Sequence, residues 1–403
     1  MLNNYEEAIH WLFQQFPSYQ NIGASAYKPG LERVESLLFT LGNPEKGLKF
    51  IHVAGTNGKG STSSYIASYL TESDEKVGLF TSPHIFDFRE RIRINGNKIS
   101  ENHVVAFCNK IINANLEFEP SFFEITFAMA ISYFNLEKCS YCVIETGLGG
   151  RLDATNVIAP LISVITNIGL DHTQFLGNTI TEIATEKAGI IKVKTPVVIG
   201  ESNLETKNVF ESIALKNSTE IYFAENEQLP KTDFLPKYQQ RNLRTAIKAL
   251  NIIGIEIENE ILLKSIDNLF NNTGLFGRMT QINKDPNVIL DVSHNQDGIK
   301  ATLNALSSKI EGNFHVIIGA SSDKNLSEMI DYFPQNALIN LCKFKNERSF
   351  NLEQLNSFKS GNSRIIRVFN NVNSGISELK KTMTSIDTLL ITGSFFLIAD
   401  VEL

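Results

Sequence analysis

Apolar residues recur at helical spacing near the start of the chain, where Ala8, Ile9, Leu12, Phe13 and Phe16 form one stripe over residues 4–16. A second helix is predicted from about Leu31 to Leu41, closed by the stop signal Gly42-Asn43-Pro44. The pattern then changes. Phe50–Ala54 is an apolar strand that breaks into a glycine-rich turn, and the turn opens onto a Ser/Ala/Tyr-rich helical pattern from Thr62 to Leu70. Val77–Thr81 reads as a short strand, Phe122–Phe134 as a buried helix, and Tyr141–Thr146 as a strand ending at Gly147-Leu148-Gly149-Gly150. A strand at Leu161–Thr166, a helix at Thr179–Ala188 and a strand at Pro196–Ile199 follow. Strands alternating with helices predict a parallel sheet covered on both faces, with ligands collecting at the carboxyl ends of its strands.

Around residues 271–277 the composition turns polar and glycine-rich, and a new alternation begins. Val288–Val292, Phe314–Ile318, Ala337–Leu341, Ile365–Val368 and Thr388–Thr392 read as strands with helices between them. A length of 403 residues also exceeds what one core usually serves. The expected fold is therefore α/β, with a P-loop-type, mostly parallel sheet domain over residues 1–275. A smaller Rossmann-like α/β domain follows over residues 280–403. Neither an internal repeat nor a long low-complexity tract interrupts this plan.

Composition narrows the function by exclusion. A formal net charge of −7 argues against a general nucleic-acid binder, though a local basic pocket for an anionic substrate remains compatible with it. The first residues lack the basic and apolar regions of a signal peptide, and no window approaches the ~18 apolar residues of a membrane span. A cytoplasmic protein without nucleic-acid or membrane partners is the expectation. Of the four cysteines, Cys139 and Cys142 have C-x-x-C spacing, but Cys142 leads straight into an apolar strand and no second pair exists. Ordinary buried thiols are expected.

The chemistry concentrates at the predicted strand ends. Gly55-Thr56-Asn57-Gly58-Lys59-Gly60-Ser61 follows the first strand and precedes a helix. Backbone N–H groups, the helix N-terminus and the Lys59 charge can there cradle the phosphates of a nucleoside triphosphate. The spacing departs from the usual G-x-x-x-x-G-K-[ST] loop: Val53 stands at the first glycine position, Gly60 follows the lysine, and the hydroxyl arrives one place late at Ser61. Glu145 puts a carboxylate at the end of a strand that otherwise reads as fully buried, where it needs a cation or a partner. Magnesium prefers carboxylate, hydroxyl and phosphate oxygens, so Glu145 with Ser82, in Thr81-Ser82-Pro83-His84, makes sense near Lys59. His172 ends a third strand. Phe88–Arg93 is basic, either a solvated face or a lip that steers anions.

The loop with its extra glycine resembles that of the Mur ligase superfamily, and specifically its folate branch of folylpolyglutamate and dihydrofolate synthases. The resemblance covers roughly residues 28–400, with the motifs in the right order. It implies that Gly55 to Ser61 bind ATP, that Ser82, Glu145 and His172 serve two magnesium ions, and that Lys187 in Thr185-Glu186-Lys187 is carried as a carbamate. It likewise implies that Asn242, in Gln239-Gln240-Arg241-Asn242, contacts adenine and that Arg278 clamps phosphate. The resemblance also implies that Asp291 and His294, in Asp291-Val292-Ser293-His294-Asn295, touch the nucleotide, although Val292, Ser293 and Gln296 replace the family's Gly, Ala and Pro. Phe122, Phe123 and Glu124 resemble the segment lining the pterin pocket, Pro29 matches a segment approaching the pteroate, and Leu152 and Asp153 join the substrate-binding set.

The implied reaction is ATP-dependent amide ligation. An acceptor carboxylate attacks the γ-phosphorus, and the amino group of L-glutamate then attacks the acyl phosphate. Lys59, Glu145, His172, Lys187 and His294 are the expected catalytic set. Dihydropteroate, tetrahydrofolate polyglutamate or both are the acceptors, with both favoured. A monomer is expected, and the sequence leaves open whether a potassium ion joins the magnesium. A Mur-type peptidoglycan-precursor ligase, a P-loop switch or motor NTPase, and a catalytically silent binding protein are the competing readings. Glutamate-independent ATP turnover would mark the NTPase, and the presence of Lys59, Glu145 and His172 argues against the silent protein.

Overall fold

A computed structural model describes residues 1–17, 28–230 and 232–403. Contacts divide the chain into Met1–Leu275 and Phe276–Leu403.

The first unit is built on an eight-stranded sheet. Its strands are β1 (Phe50–Ala54), β2 (Val77–Phe80), β3 (Ile92–Ile94), β4 (Asn97–Lys98), β5 (Tyr141–Glu145), β6 (Pro160–Ile165), β7 (Val197–Ile199) and β8 (Ile221–Phe223). Their order is β4-β3-β2-β5-β1-β6-β7-β8. The strands from β2 to β8 run parallel, as the alternation predicts, whereas β3 and β4 add an antiparallel edge. That edge corrects the reading of residues 88–93 as a solvated face or an anion-steering lip. Phe88 and Arg91 are buried, and Arg91 Nε donates to His84 Nδ1 at 2.8 Å. Arg93 donates to the carbonyl of Gly96 at 2.7 Å, closing the hairpin. The bond between Ser82 and Pro83 is cis.

Strand β1 lies between β5 and β6, with Val53 opposite Glu145 and Ala54 opposite Ile165. All five of its residues are buried, as a central parallel strand covered on both faces requires. One face packs Ile51, Val53, Val143 and Val164 against Ile66 and Leu70 of the helix Lys59–Glu72 and against Leu243, Ile247 and Leu250. The other packs Phe50, Phe80 and Ile144 against Phe127, Ile131 and Phe134 of the helix Phe122–Leu136. That second helix starts where a capping box stops the chain from fraying: Ser121 accepts from the Glu124 N–H, and Glu124 reaches back to the Ser121 N–H. The four cysteines are free and buried. Among the described residues no helix is long and apolar enough to cross a membrane.

The second unit has a six-stranded sheet of β9 (Thr280–Lys284), β10 (Asn287–Leu290), β11 (Phe314–Ile318), β12 (Leu338–Cys342), β13 (Ile365–Phe369) and β14 (Thr388–Thr392). The order is β13-β12-β11-β14-β10-β9, parallel except for β9, which pairs antiparallel with β10. Val316, Ile318, Ile339, Leu341 and Leu390 form its central layer.

Candidate active site

The glycine-rich loop leaves β1 at Ala54 and is fastened to the segment that follows β6. Beside β6, Thr166 Oγ1 donates to the carbonyl of Asn57 at 2.6 Å, and the Asn57 N–H donates to Asn167 Oδ1 at 2.9 Å. Thr56 Oγ1 both donates to the Gly169 carbonyl and accepts its N–H, at 3.2 and 3.0 Å. Two glycines are required by this packing. Gly55 has φ +150°, and a Cβ there would fall 1.8 Å from Thr166 Oγ1. Gly58 caps the helix Lys59–Glu72 in a left-handed conformation at φ +80°, where a Cβ would lie 2.3 Å from Asn242 Oδ1. Asn242 is thus set against the phosphate loop, and its amide donates to Gln239 Oε1 at 3.0 Å.

The first free turn of that helix points its N–H groups at the loop, supplying the partial positive charge that favours phosphate. Lys59 Nζ curls back onto the carbonyls of Gly55 and Thr56 at 3.1 and 3.3 Å. Gly60, the extra residue, lies beside the carboxylate that ends β5: a Cβ there would be 3.6 Å from Glu145 Oε2. Glu145 is buried, and Oε2 accepts the Ser82 N–H at 2.9 Å. The structure therefore brings Lys59, Ser82 and Glu145 together around one loop.

Lys187 joins them from the helix Ile180–Ala188. It is buried, not an exposed helix lysine, and its Nζ donates to the Gly55 carbonyl at 2.8 Å. Burial, reinforced by the nearby Lys59 charge, pulls its pKa down to about 7, against the opposing pull of Asp171 and Asp153. His172 caps a short helical turn at φ +50°, three residues after Gly169. Its N–H donates to Asp171 Oδ1 at 2.9 Å, and its imidazole lies 4.0 Å from the same carboxylate. Asp171, whose side chain is 7% exposed, is a member of this group that the sequence reading missed. Its place directly before His172 was the available signal.

The residues expected at the acceptor divide by environment. Phe123 is half-buried, and its ring lies against the backbone of Gly147, where a Cβ would come within 2.6 Å. Phe122 turns into the core instead, stacked on Phe13 at 5.0 Å with the Arg91 guanidinium 5.4 Å over its ring. Glu124 is buried, engaged in its capping box and in an ion pair with Arg33 at 3.2 Å. Pro29 is exposed, and its carbonyl accepts from Arg33. Leu152 is half-buried. Asp153 is buried and organises its own loop, accepting the N–H groups of Thr155 and Leu148 at 3.0 and 2.8 Å.

In the second unit Asp291 is likewise buried, accepting from the N–H groups of Met279 and Ser293, both at 2.9 Å, and from Thr302 Oγ1. It shapes the loop that presents His294, whose Nδ1 pairs with the Val292 carbonyl. Arg278 and His294 meet across Phe395, the guanidinium 5.4 Å and the imidazole 5.8 Å from its ring.

Among the described residues no three His, Cys, Asp or Glu side chains form a metal cage. The donors at the loop, one buried carboxylate with a neighbouring serine, suit a magnesium ion held chiefly by phosphate and water oxygens.

The model of the Mur ligase middle domain matches residues 53–276, and that of the Mur ligase glutamate ligase domain matches residues 277–395. The chain belongs to the Mur ligase family, and it is an ATP-dependent ligase of the folylpolyglutamate and dihydrofolate synthase branch. Among its relatives, the dihydrofolate synthase/folylpolyglutamate synthase of Bacillus subtilis is 35% identical over 363 residues, 82% of this chain and 83% of its own length. A probable bifunctional folylpolyglutamate synthase/dihydropteroate synthase of Haloferax volcanii is 30% identical over 98% of this chain, which spans 50% of that longer protein. A bifunctional folylpolyglutamate synthase/dihydrofolate synthase crystallised with Mn, AMPPNP and L-glutamate superposes with a TM-score of 0.85 at 25% identity. The match covers 98% of this chain and 97% of that one.

Proposed function

We propose that this protein joins L-glutamate to dihydropteroate and to tetrahydrofolate or its polyglutamates, using ATP. The observation that carries the reading is the Glu145 carboxylate set beside Gly60 of the phosphate loop, with Ser82 on the same oxygen. A relative with a nucleotide analogue, a divalent metal and L-glutamate bound supports the same chemistry, and the bifunctional name of the Bacillus relative supports two acceptors.

In this reading the acceptor carboxylate displaces ADP from the γ-phosphorus, giving an acyl phosphate. The amino group of L-glutamate attacks the acyl carbon, phosphate leaves with its electron pair, and the ammonium proton is lost to solvent or base. Such transfer depends on positioning and on neutralising phosphate charge. Gly55 to Ser61 bind the phosphates, Lys59 releases its carbonyl partners to meet them, and Asn242 contacts the base. Ser82, Glu145 and His172 hold magnesium, which when bound neutralises the triphosphate. Arg278, Asp291 and His294 are the second unit's nucleotide-binding residues. Phe123 stacks on the pterin, while Pro29, Leu152 and Asp153 shape its surroundings.

Lys187 is carried as a carbamate, formed when its neutral amine attacks carbon dioxide and loses a proton. Its burial against the Gly55 carbonyl and beside the Lys59 charge supports this, because the ammonium form is disfavoured there. The reading takes the enzyme to be a cytoplasmic monomer.

Isotope transfer tests the central step. An acceptor carrying oxygen-18 in its carboxylate delivers one labelled oxygen to the released phosphate if the acyl phosphate forms. Unlabelled phosphate alongside amide product would sink the mechanism.

A further inference from the structure

His52 is the one polar residue of β1, and it is fully buried. Its Nε2 lies 2.8 Å from Thr155 Oγ1. That hydroxyl has a single proton, and it is directed to Asp153 Oδ1 at 2.5 Å. With Asp153 ionised, as its hydrogen bonds from the Thr155 and Leu148 N–H groups favour against the upward pull of burial, the threonine accepts from the imidazole, so Nε2 carries the proton and Nδ1 is bare. Nδ1 is indeed buried and has no hydrogen-bond partner among the described residues. Burial, with a smaller push from Lys192, keeps the ring neutral by lowering its pKa to about 3. A valine or isoleucine would fill the strand without burying an unpartnered nitrogen, so the histidine is explained by what Nε2 does.

What it does extends beyond the strand. The second oxygen of Asp153 accepts the Leu148 N–H at 2.8 Å, inside the glycine loop that follows Glu145. At one end of that loop Gly147 lies under the Phe123 ring. At the other, Gly150 approaches the carbonyls of Lys187 and Glu186, with a Cβ position 2.7 and 2.9 Å away. One hydrogen-bonded line thus runs from the strand feeding the phosphate loop to the surface on which the acceptor is proposed to stack.

We propose that His52, acting through Thr155, is a positioning residue for the acceptor: it fixes the Asp153 carboxylate and, with it, the Gly147–Gly150 loop beneath Phe123. The proposal rests on the reading of Phe123 and Asp153 as acceptor-site residues. His52 itself touches no substrate.

The test measures steady-state constants for His52→Leu, His52→Gln, Thr155→Val, Thr155→Ser and Asp153→Asn, with thermal unfolding of each. Breaking the line is expected to raise the KM for the pterin acceptor about tenfold in His52→Leu and in Thr155→Val, leaving the KM for ATP within about twofold. A sixth protein carrying both His52→Leu and Thr155→Val should be no worse than Thr155→Val alone, which already removes the bonds to His52 and to Asp153. His52→Gln and Thr155→Ser, which keep a donor and a hydroxyl, should recover most of the loss. If His52→Leu does not fold, Thr155→Val severs the line with the strand intact. Additive losses, equal losses for ATP and acceptor, or an unchanged acceptor KM with Asp153→Asn impaired would each overturn the positioning role. An unchanged acceptor KM in Asp153→Asn would show that the acceptor-site reading itself had failed, and the proposal with it. Nitrogen-15 NMR of the wild type should show a protonated Nε2 and a bare Nδ1, and the opposite tautomer would contradict the line directly.

Discussion

Replacing Lys187 with methionine, and separately moving the pH across its titration, tests the carbamate reading. An ordinary lysine titrates near 10.5, whereas burial and the Lys59 charge bring Lys187 to about 7. Its amine is then about nine-tenths neutral near pH 8 and about one-tenth neutral near pH 6, against about three in a thousand near pH 8 for an ordinary lysine. Only the neutral amine attacks carbon dioxide, so carbamate occupancy and ligation should rise together as pH climbs through about 7. Carbon-13 NMR in labelled bicarbonate reads the carbamate, and glutamate incorporation before and after stripping carbon dioxide reads its use. Linkage adds a stability readout. Between about 7 and 10.5 the unfolded lysine binds a proton that the folded one has released. Stability in carbon-dioxide-free buffer therefore rises with pH over that interval and flattens in Lys187→Met. Short carboxylates should partly restore ligation to Lys187→Ala. No carbamate signal near pH 8, with activity indifferent to carbon dioxide, would refute the reasoning.

Other substitutions separate phosphate, metal and acceptor roles. Gly58→Ala should cost about 1–2 kcal/mol of stability from its left-handed backbone and weaken ATP binding by pushing Asn242 aside, as calorimetry would show. Glu145→Gln keeps the shape at Gly60 but removes the charge, so kcat should fall by about a hundredfold or more with the fold intact by circular dichroism. Phe122→Ala and Phe123→Ala should part company. The first empties a core position and costs about 3–5 kcal/mol in denaturant unfolding, while the second chiefly raises the acceptor KM, by about tenfold.

Much of this architecture was legible because chemistry at strand ends breaks an apolar pattern. Gly58-Lys59-Gly60 and Glu145 each break a run that would otherwise read as core, and β1, β5 and β6 lie side by side. His172, by contrast, does not end its strand as expected but caps a short helix beyond Ile165, where β6 stops. Other features were hidden for physical reasons. The antiparallel edge Ile92–Ile94 is three residues long with an arginine at its centre, too short for alternation to be distinguished from a basic loop. Arg91 looks like a surface charge until its pairing with His84 is seen. Phe122 and Phe123 share a helix start, and only the packing on Phe13 and Gly147 tells core from site. His52 disappears inside an apolar strand because a neutral, singly bonded imidazole leaves no mark on periodicity. The burial of Lys187 depends on the Gly55 carbonyl, 132 residues away in sequence, so no local pattern could reveal it.

Incorporation of labelled L-glutamate, dependent on ATP and magnesium, with dihydropteroate and tetrahydrofolate offered separately, tests the account most directly. Amide product with both acceptors, with ADP and phosphate formed in step, is the predicted result. Steady ATP hydrolysis with no glutamate joined to either acceptor would contradict it.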